Sequence, residues 1–147
     1  MYLYEATLFQ EPGDNTYYVR FDAFPNCFAD GASYAEAIES GAETLKLFIA
    51  EYLDEGRALP QEKFAHAAGC EYAVVAVDVD DEFVQRTKCM TVAEAAEELG
   101  VTAGRVSQLL SAGKLQAVQY GADRLVTVAS VEERKAHPSR AGRPRKS

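Results

Sequence analysis

The sequence predicts an α+β protein built from two small units: a ββ(β)αβ unit, then a helix-turn-helix followed by a hairpin. Three observations carry this prediction. Strand-forming stretches and one long amphipathic helix pattern fill the first 82 residues, whereas short capped helices separated by glycines begin near residue 90. The charge changes sign along the chain: the 147 residues sum to −8, but residues 1–85 hold 17 acids and 4 bases, net −13, and residues 86–147 hold 6 acids and 11 bases, net +5. At 48% apolar and 26% charged, the composition is that of a globular chain.

The elements follow in order. Tyr2, Tyr4, Thr7, Leu8 and Phe9 are strand-forming types in partial alternation. Glu11-Pro12-Gly13-Asp14-Asn15 is a turn and Tyr17-Tyr18-Val19-Arg20-Phe21 a second strand, so residues 2–22 form a hairpin. Phe24-Pro25-Asn26-Cys27-Phe28 breaks the pattern, and Ala29-Asp30-Gly31 marks a short third strand or its end. Ser33 and Glu36 form a capping box that opens a long helix. Ile38, Ala42, Leu45, Ile49, Tyr52 and Leu53 give that helix one apolar stripe, and Gly56 ends it. Residues 61–70 are polar and alanine-rich, a loop. Tyr72 to Val79 is close to continuously apolar, which predicts a central strand with an acidic tail, Asp78 to Glu82.

Residues 83–89 are expected to link this unit, 1–82, to a second at 90–136. Thr91 and Glu94 form another capping box, opening a helix to about Leu99, which Gly100 stops. Thr102 caps a helix to about Ala112, stopped by Gly113. Leu115–Tyr120 and Arg124–Val128, separated by Gly121-Ala122-Asp123, form a hairpin. Ser130 and Glu133 form a third box for a last short helix closed by Pro138. Residues 137–147 make a basic tail expected to be disordered.

Several function classes drop out. No apolar run approaches the roughly 20 residues of a membrane helix, and Met1 to Glu5 has neither the basic start nor the apolar core of a signal peptide. Cys27, Cys70 and Cys89 are odd in number and far apart, which argues against a disulfide framework or a zinc site and for a reducing cytosol. No glycine loop suits a phosphate, and no Ser or Cys nucleophile has a visible base. His66 and His137 stand alone in polar segments. Asp22, Asp78 and Asp80 end strands, and no carboxylate sits clearly mid-strand beside a second one. No catalytic residue, metal site or cofactor is expected, and the chain is not expected to be an enzyme.

The strongest functional signal is the helix-turn-helix. In its second helix Val106, Leu109 and Leu110 are spaced for burial, leaving Ala103, Gly104, Arg105, Ser107, Gln108 and Ser111 outside. Short residues at its start let the backbone approach a groove floor. Beyond them, Arg105 can fork onto guanine and Gln108 onto adenine, and they are three apart on one face. Thr102 and the helix-start amides suit a phosphate. Lys114, and Tyr120 and Arg124 on a hairpin acting as a wing, are further DNA candidates. In the tail, Gly142-Arg143-Pro144-Arg145 resembles an AT-hook, in which Arg143 and Arg145 would enter a minor groove; the alternative is a basic tail adding weak, salt-sensitive affinity.

Two family resemblances extend this reading. Thr91-Val92-Ala93-Glu94-Ala95-Ala96-Glu97-Glu98-Leu99-Gly100-Val101, with Val106, Leu109-Leu110, Gly113-Lys114-Leu115 and Ala117-Val118, resembles the short winged helix-turn-helix of excisionases and the MerR superfamily. Those wings usually carry more bases, whereas Asp123 stands beside Arg124. Tyr17-Tyr18-Val19, Phe24-Pro25-Asn26-Cys27-Phe28, Asp30-Gly31, Ser33 with Glu36-Ala37, and the exit Gly56-Arg57-Ala58-Leu59-Pro60 resemble HicB-type antitoxins of bacterial toxin–antitoxin pairs over about residues 2–80. Asn26 replaces the family's usual Gly, and both tolerate left-handed backbone.

The HicB resemblance implies a truncated ribonuclease-H-like first unit that binds a HicA-like toxin, a small basic mRNA endonuclease, and a second unit that represses the operon by binding operator DNA. It also gives the acids a purpose. Glu51, Asp54 and Glu55 on the long helix, and Asp78, Asp80 and Asp81 after the last strand, are candidates to face the toxin. Solvated surface acids are the alternative at each. A 50-residue winged domain buries little surface, so a homo-oligomer, dimer or tetramer, is expected. The competing functions are an orphan or ligand-sensing regulator whose first unit dimerises or binds a small molecule, and a metal-dependent nuclease using Asp22 or Asp78.

Overall fold

The computed structural model describes residues 1–66 and 68–138. They fall into two separately packed units, Met1–Val84 and a second from Gln85 onward. Among the described residues there are seven strands and five helices.

The first unit holds β1 (Tyr2–Phe9), β2 (Tyr17–Arg20), β3 (Phe28–Gly31), α1 (Tyr34–Asp54) and β4 (Glu71–Val77). The sheet order is β3-β2-β1-β4 and every neighbouring pair is antiparallel. Thr7 faces Arg20 across the first hairpin. Its loop is pinned by Asp14, whose carboxylate accepts from the Thr16 amide at 2.8 Å and the Tyr18 hydroxyl at 2.7 Å. The Tyr18 bond, then the Thr16 amide, holds the Asp14 carboxyl below its ordinary range.

Period-2 alternation sends Tyr4, Ala6 and Leu8 of β1, Val19 of β2, and Val75 and Val77 of β4 to the buried side, against Leu45 and Ile49 of α1. Burying a side chain the size of Phe21 or Ile49 contributes about 1.5–3 kcal/mol. Phe24 fills the end of this core with its ring against Tyr4 at 4.8 Å and Tyr52 at 5.4 Å. The stripe of α1 differs from the one the spacing predicts. Ala37 and Gly41 lie at its fully buried centre, whereas Leu53 is 38% exposed. The reason is close approach. A β-carbon on Gly41 would lie 2.8 Å from Val19, and one on Gly31 of β3 would lie 2.4 Å from the Ala37 amide nitrogen. The helix is therefore seated on small residues, and its bulkier ones flank them.

β4 is an edge strand, not the central one its apolar run predicts. Among the described residues it pairs with β1 alone. Its residues alternate: Val75 and Val77 are buried, while Tyr72 and Val74 stand exposed on the uncovered face. The run is apolar on both faces, yet α1 covers only one of them.

The expected link at 83–89 is structured. Residues 81–87 form α2 (Asp81–Thr87), and Cys89 begins β5 (Cys89–Met90). The second unit continues with α3 (Val92–Leu99), α4 (Ala103–Ser111), β6 (Ala117–Tyr120), β7 (Asp123–Thr127) and α5 (Val128–Ala136). Its sheet order is β5-β7-β6, and Tyr120 faces Asp123 across the two-residue turn Gly121–Ala122. The core joins Ala95 and Ala96 of α3, Val106, Leu109 and Leu110 of α4, Leu115, Val126 and Val131.

The caps explain the helix boundaries. Thr91 and Glu94 bond reciprocally, at 3.1 and 3.0 Å, and Gly100 ends α3 in left-handed conformation. At α1 the Ser33 hydroxyl accepts from the Glu36 amide, but the Glu36 carboxylate accepts from the Ala32 amide, one residue upstream of a standard box. The third box does not form. Thr127, not Ser130, caps α5, accepting from the Ser130 amide at 3.3 Å. The Ser130 hydroxyl instead accepts from the Gln116 amide, 3.1 Å away, and so ties α5 to the residue before β6.

Candidate nucleic-acid interface and acidic surface

The second unit places most of its predicted DNA residues on one element. Thr102 is the N-cap of α4, its hydroxyl accepting from the Arg105 amide at 3.1 Å. The Ala103 and Gly104 amides stand in the first turn, where an α-helix offers no internal acceptor. Ala103, Gly104, Arg105, Ser107 and Gln108 are all exposed, over buried Val106, Leu109 and Leu110. Arg105 and Gln108 touch: Arg105 Nη1 donates to Gln108 Oε1 at 3.2 Å. That bond leaves the Gln108 amide hydrogens, which are donors, to face outward. A β-carbon on Gly104 would meet nothing nearer than Thr102 Oγ1 at 3.8 Å, so internal packing does not require glycine there.

Lys114 is exposed in the turn after α4, its amide donating to the Leu109 carbonyl at 2.8 Å. Arg124 is exposed and Tyr120 half-buried on the β6–β7 hairpin. Arg143 and Arg145 lie outside the described residues. The sequence pointed to no role for Arg86. Its Nη1 donates to Asp123 Oδ2 at 3.2 Å, and its guanidinium carbon lies 5.1 Å from the Tyr120 ring centroid. No local spacing signals a pair 37 residues apart.

The acids of the first unit have structural partners. On and after α1, Arg57 pairs with Glu55 at 2.5 Å and Glu51 at 3.7 Å, with its guanidinium over the Tyr52 ring at 4.0 Å. Asp54, exposed, lies in the same last turn. Asp78 sits 3.4 Å from the chain's amino group. Asp80 accepts from the Phe83 amide at 2.8 Å and so caps α2, and Asp81 is exposed in the first turn, favourably placed against the helix dipole.

One carboxylate does sit mid-strand. Glu5 of β1 turns away from α1, and its Oε2 is sealed from solvent with His66 Nδ1 at 3.1 Å. Among the described residues no hydrogen bond reaches that oxygen. The His66 ring also lies 4.5 Å from Tyr72. Glu5 and Asp22 share a cavity of about 470 Å³ roofed by Pro60, Gln61 and Lys63. Asp22 is held by Arg20 at 2.6 Å and Thr7 at 3.3 Å. Among the described residues no three His, Cys, Asp or Glu side chains converge as metal ligands. Cys27 is buried, which pushes its thiol up to about 11. No helix among the described residues is long and apolar enough to cross a membrane.

No protein-family model matches the chain, and no curated protein matches it. Solved structures do. The HicA3 and HicB3 toxin–antitoxin complex matches at 21% identity over 52% of this chain and 99% of that one, with a TM-score of 0.42. The N-terminal domain of the Burkholderia pseudomallei antitoxin HicB matches at 17% identity over 53% of this chain and all of that one, with a TM-score of 0.46. The fuller structure of that antitoxin matches at 16% identity over 76% of this chain and 98% of that one, with a TM-score of 0.47. Two of these solved structures are of an antitoxin HicB and one is of a HicA3 and HicB3 toxin–antitoxin complex.

Proposed function

We propose that the chain is an antitoxin and autorepressor. Its first unit, residues 1–82, is a truncated ribonuclease-H-like fold that binds and neutralises a small basic HicA-like mRNA endonuclease. Its second unit, residues 90–136, is a winged helix-turn-helix that binds operator DNA and represses its own operon. In this reading α4 is the recognition helix and the β6–β7 hairpin the wing.

The observation that carries the reading is the division of charge between two separately packed units, −13 before residue 86 and +5 from residue 86 onward. Neither partner suits the whole chain, and each suits one unit. A polyanion is drawn to the basic unit, where α4 presents two fork-shaped side chains beyond a bare helix start. A basic nuclease is drawn to the acidic unit, and its association is accelerated by that field. The motif resemblance to HicB antitoxins supports the same assignment. Of the candidate toxin-facing acids, Asp81 and Glu51 are exposed side-chain positions whose loss leaves the caps intact, whereas Asp80 also holds α2 in place. Self-association into a dimer or tetramer would offer two recognition helices to two half-sites. The unblocked edge of β4, free of Pro and charge from Tyr72 to Val77, is one place for it. The chain itself is not read as an enzyme.

Co-expression with the small basic protein encoded beside this gene tests the reading. The expected result is a stable complex, rescue of growth from that protein's toxicity, and retention of promoter DNA by the antitoxin. Absence of such a neighbour, or toxicity that persists on co-expression, removes the antitoxin assignment. Promoter DNA bound equally well after deletion of residues 88–147 removes the DNA assignment. A second reading, a ligand-sensing regulator, draws on the cavity lined by Glu5, Asp22 and Lys63. It requires a small molecule that shifts DNA affinity with no protein partner present.

A further inference from the structure

The hairpin read as a wing has an apparent fault. Asp123 stands beside its turn, an acid on an element meant to approach a phosphate backbone. Arg124 does not correct this. Neighbouring residues of a strand point to opposite faces, so Asp123 and Arg124 of β7 do not share one. Tyr120 is the cross-strand partner of Asp123, and the two flank the turn. Arg86 reaches both: it donates to the Asp123 carboxylate at 3.2 Å and lies over the Tyr120 ring at 5.1 Å. All three belong to the unit that starts at Gln85.

We propose that Arg86, in the last turn of α2, is a positioning residue of the DNA-binding surface, which cancels the charge of Asp123 so that the wing can approach a phosphate backbone. The proposal rests on the DNA-binding reading given above. With Arg86 in place, the wing sums to +1 over Arg86, Asp123 and Arg124. Without it the sum is zero, and a carboxylate 63% exposed faces a polyanion. An exposed ion pair of this kind adds little to folding stability. The residue comes from outside the segment that resembles a winged helix-turn-helix, so that segment by itself looks deficient in positive charge. The assigned ligand is the sugar–phosphate backbone of duplex DNA, contacted without regard to base sequence.

The test uses the full-length protein and a random-sequence duplex of about 30 base pairs at about 50 mM salt, where backbone contacts dominate affinity. Arg86→Ala is expected to bind about fivefold to tenfold more weakly. Asp123→Asn is expected to bind as well as the unaltered protein or slightly better. The double variant is expected to recover to within about threefold of Asp123→Asn alone, because the acid that Arg86 answers is gone. Arg86→Gln keeps a planar amide over Tyr120 and gives the same reading should the alanine variant unfold. Arg86→Ala binding like the unaltered protein overturns the proposal. So does a double variant as weak as Arg86→Ala, since Arg86 would then act other than through Asp123. An unaltered protein that binds no duplex overturns the DNA-binding reading and this inference together, whereas intact binding with insensitive variants overturns this inference alone.

Discussion

Asn26 has a backbone φ of 61°, in the left-handed region that most side chains avoid. It turns the chain between β2 and β3, where the Phe21 amide donates to the Cys27 carbonyl at 2.9 Å and the Cys27 thiol is buried beneath the turn. Its short polar side chain is one of the few that adopts this conformation easily, so the position was legible from the sequence. Asn26→Gly is expected to leave the urea midpoint almost unchanged. Asn26→Val is expected to lose about 1–2 kcal/mol of stability, from the left-handed penalty on a branched side chain. Equal stability of the two variants would show that the turn is not under that constraint. Arg86 and the Glu5–His66 pair were not legible. Each acquires its role from a residue that neither periodicity nor a cap places beside it.

At the scale of elements, the caps were read well where the pattern was local and badly where tertiary contacts competed. The box at α3 forms in full, because both bonds span three residues of one turn. At α5 the expected Ser130 cap gives way to Thr127. The Ser130 hydroxyl has a better use 14 residues away, at the Gln116 amide, and the helix begins earlier as a result. The start of α4 supplies a prediction of function against stability. Gly104 is not required by packing, so Gly104→Ala is expected to fold at least as well, gaining up to about 1 kcal/mol of helix propensity. It is also expected to weaken promoter binding several-fold, because a methyl group would then stand between the helix start and the groove. A melting curve and a gel-shift titration check the two halves separately, and tighter binding by the alanine variant would refute the close approach.

For the whole molecule, the net charge of −8 would by itself disfavour a nucleic-acid partner. Divided between the two units it becomes −13 and +5, the division on which the proposed function rests. Removing the residues after Pro138 takes away Arg140, Arg143, Arg145 and Lys146. Binding is expected to weaken evenly across sequences, with the log–log salt slope falling by up to about 3–4 as four cations are lost. A loss confined to A·T-rich duplexes would instead place Arg143 and Arg145 in a minor groove. The sequence by itself determined the antiparallel hairpin, the long helix and the α3–α4 pair, since these rest on periodicity, glycine stops and short-range caps. Only the tertiary structure decided that β4 lies at an edge, that α1 seats on Ala37 and Gly41, that residues 83–89 are ordered, and that Arg86 answers Asp123. The reason is the same each time: an apolar run does not say which of its faces will be covered, and a charged side chain does not say which distant partner the fold will bring to it.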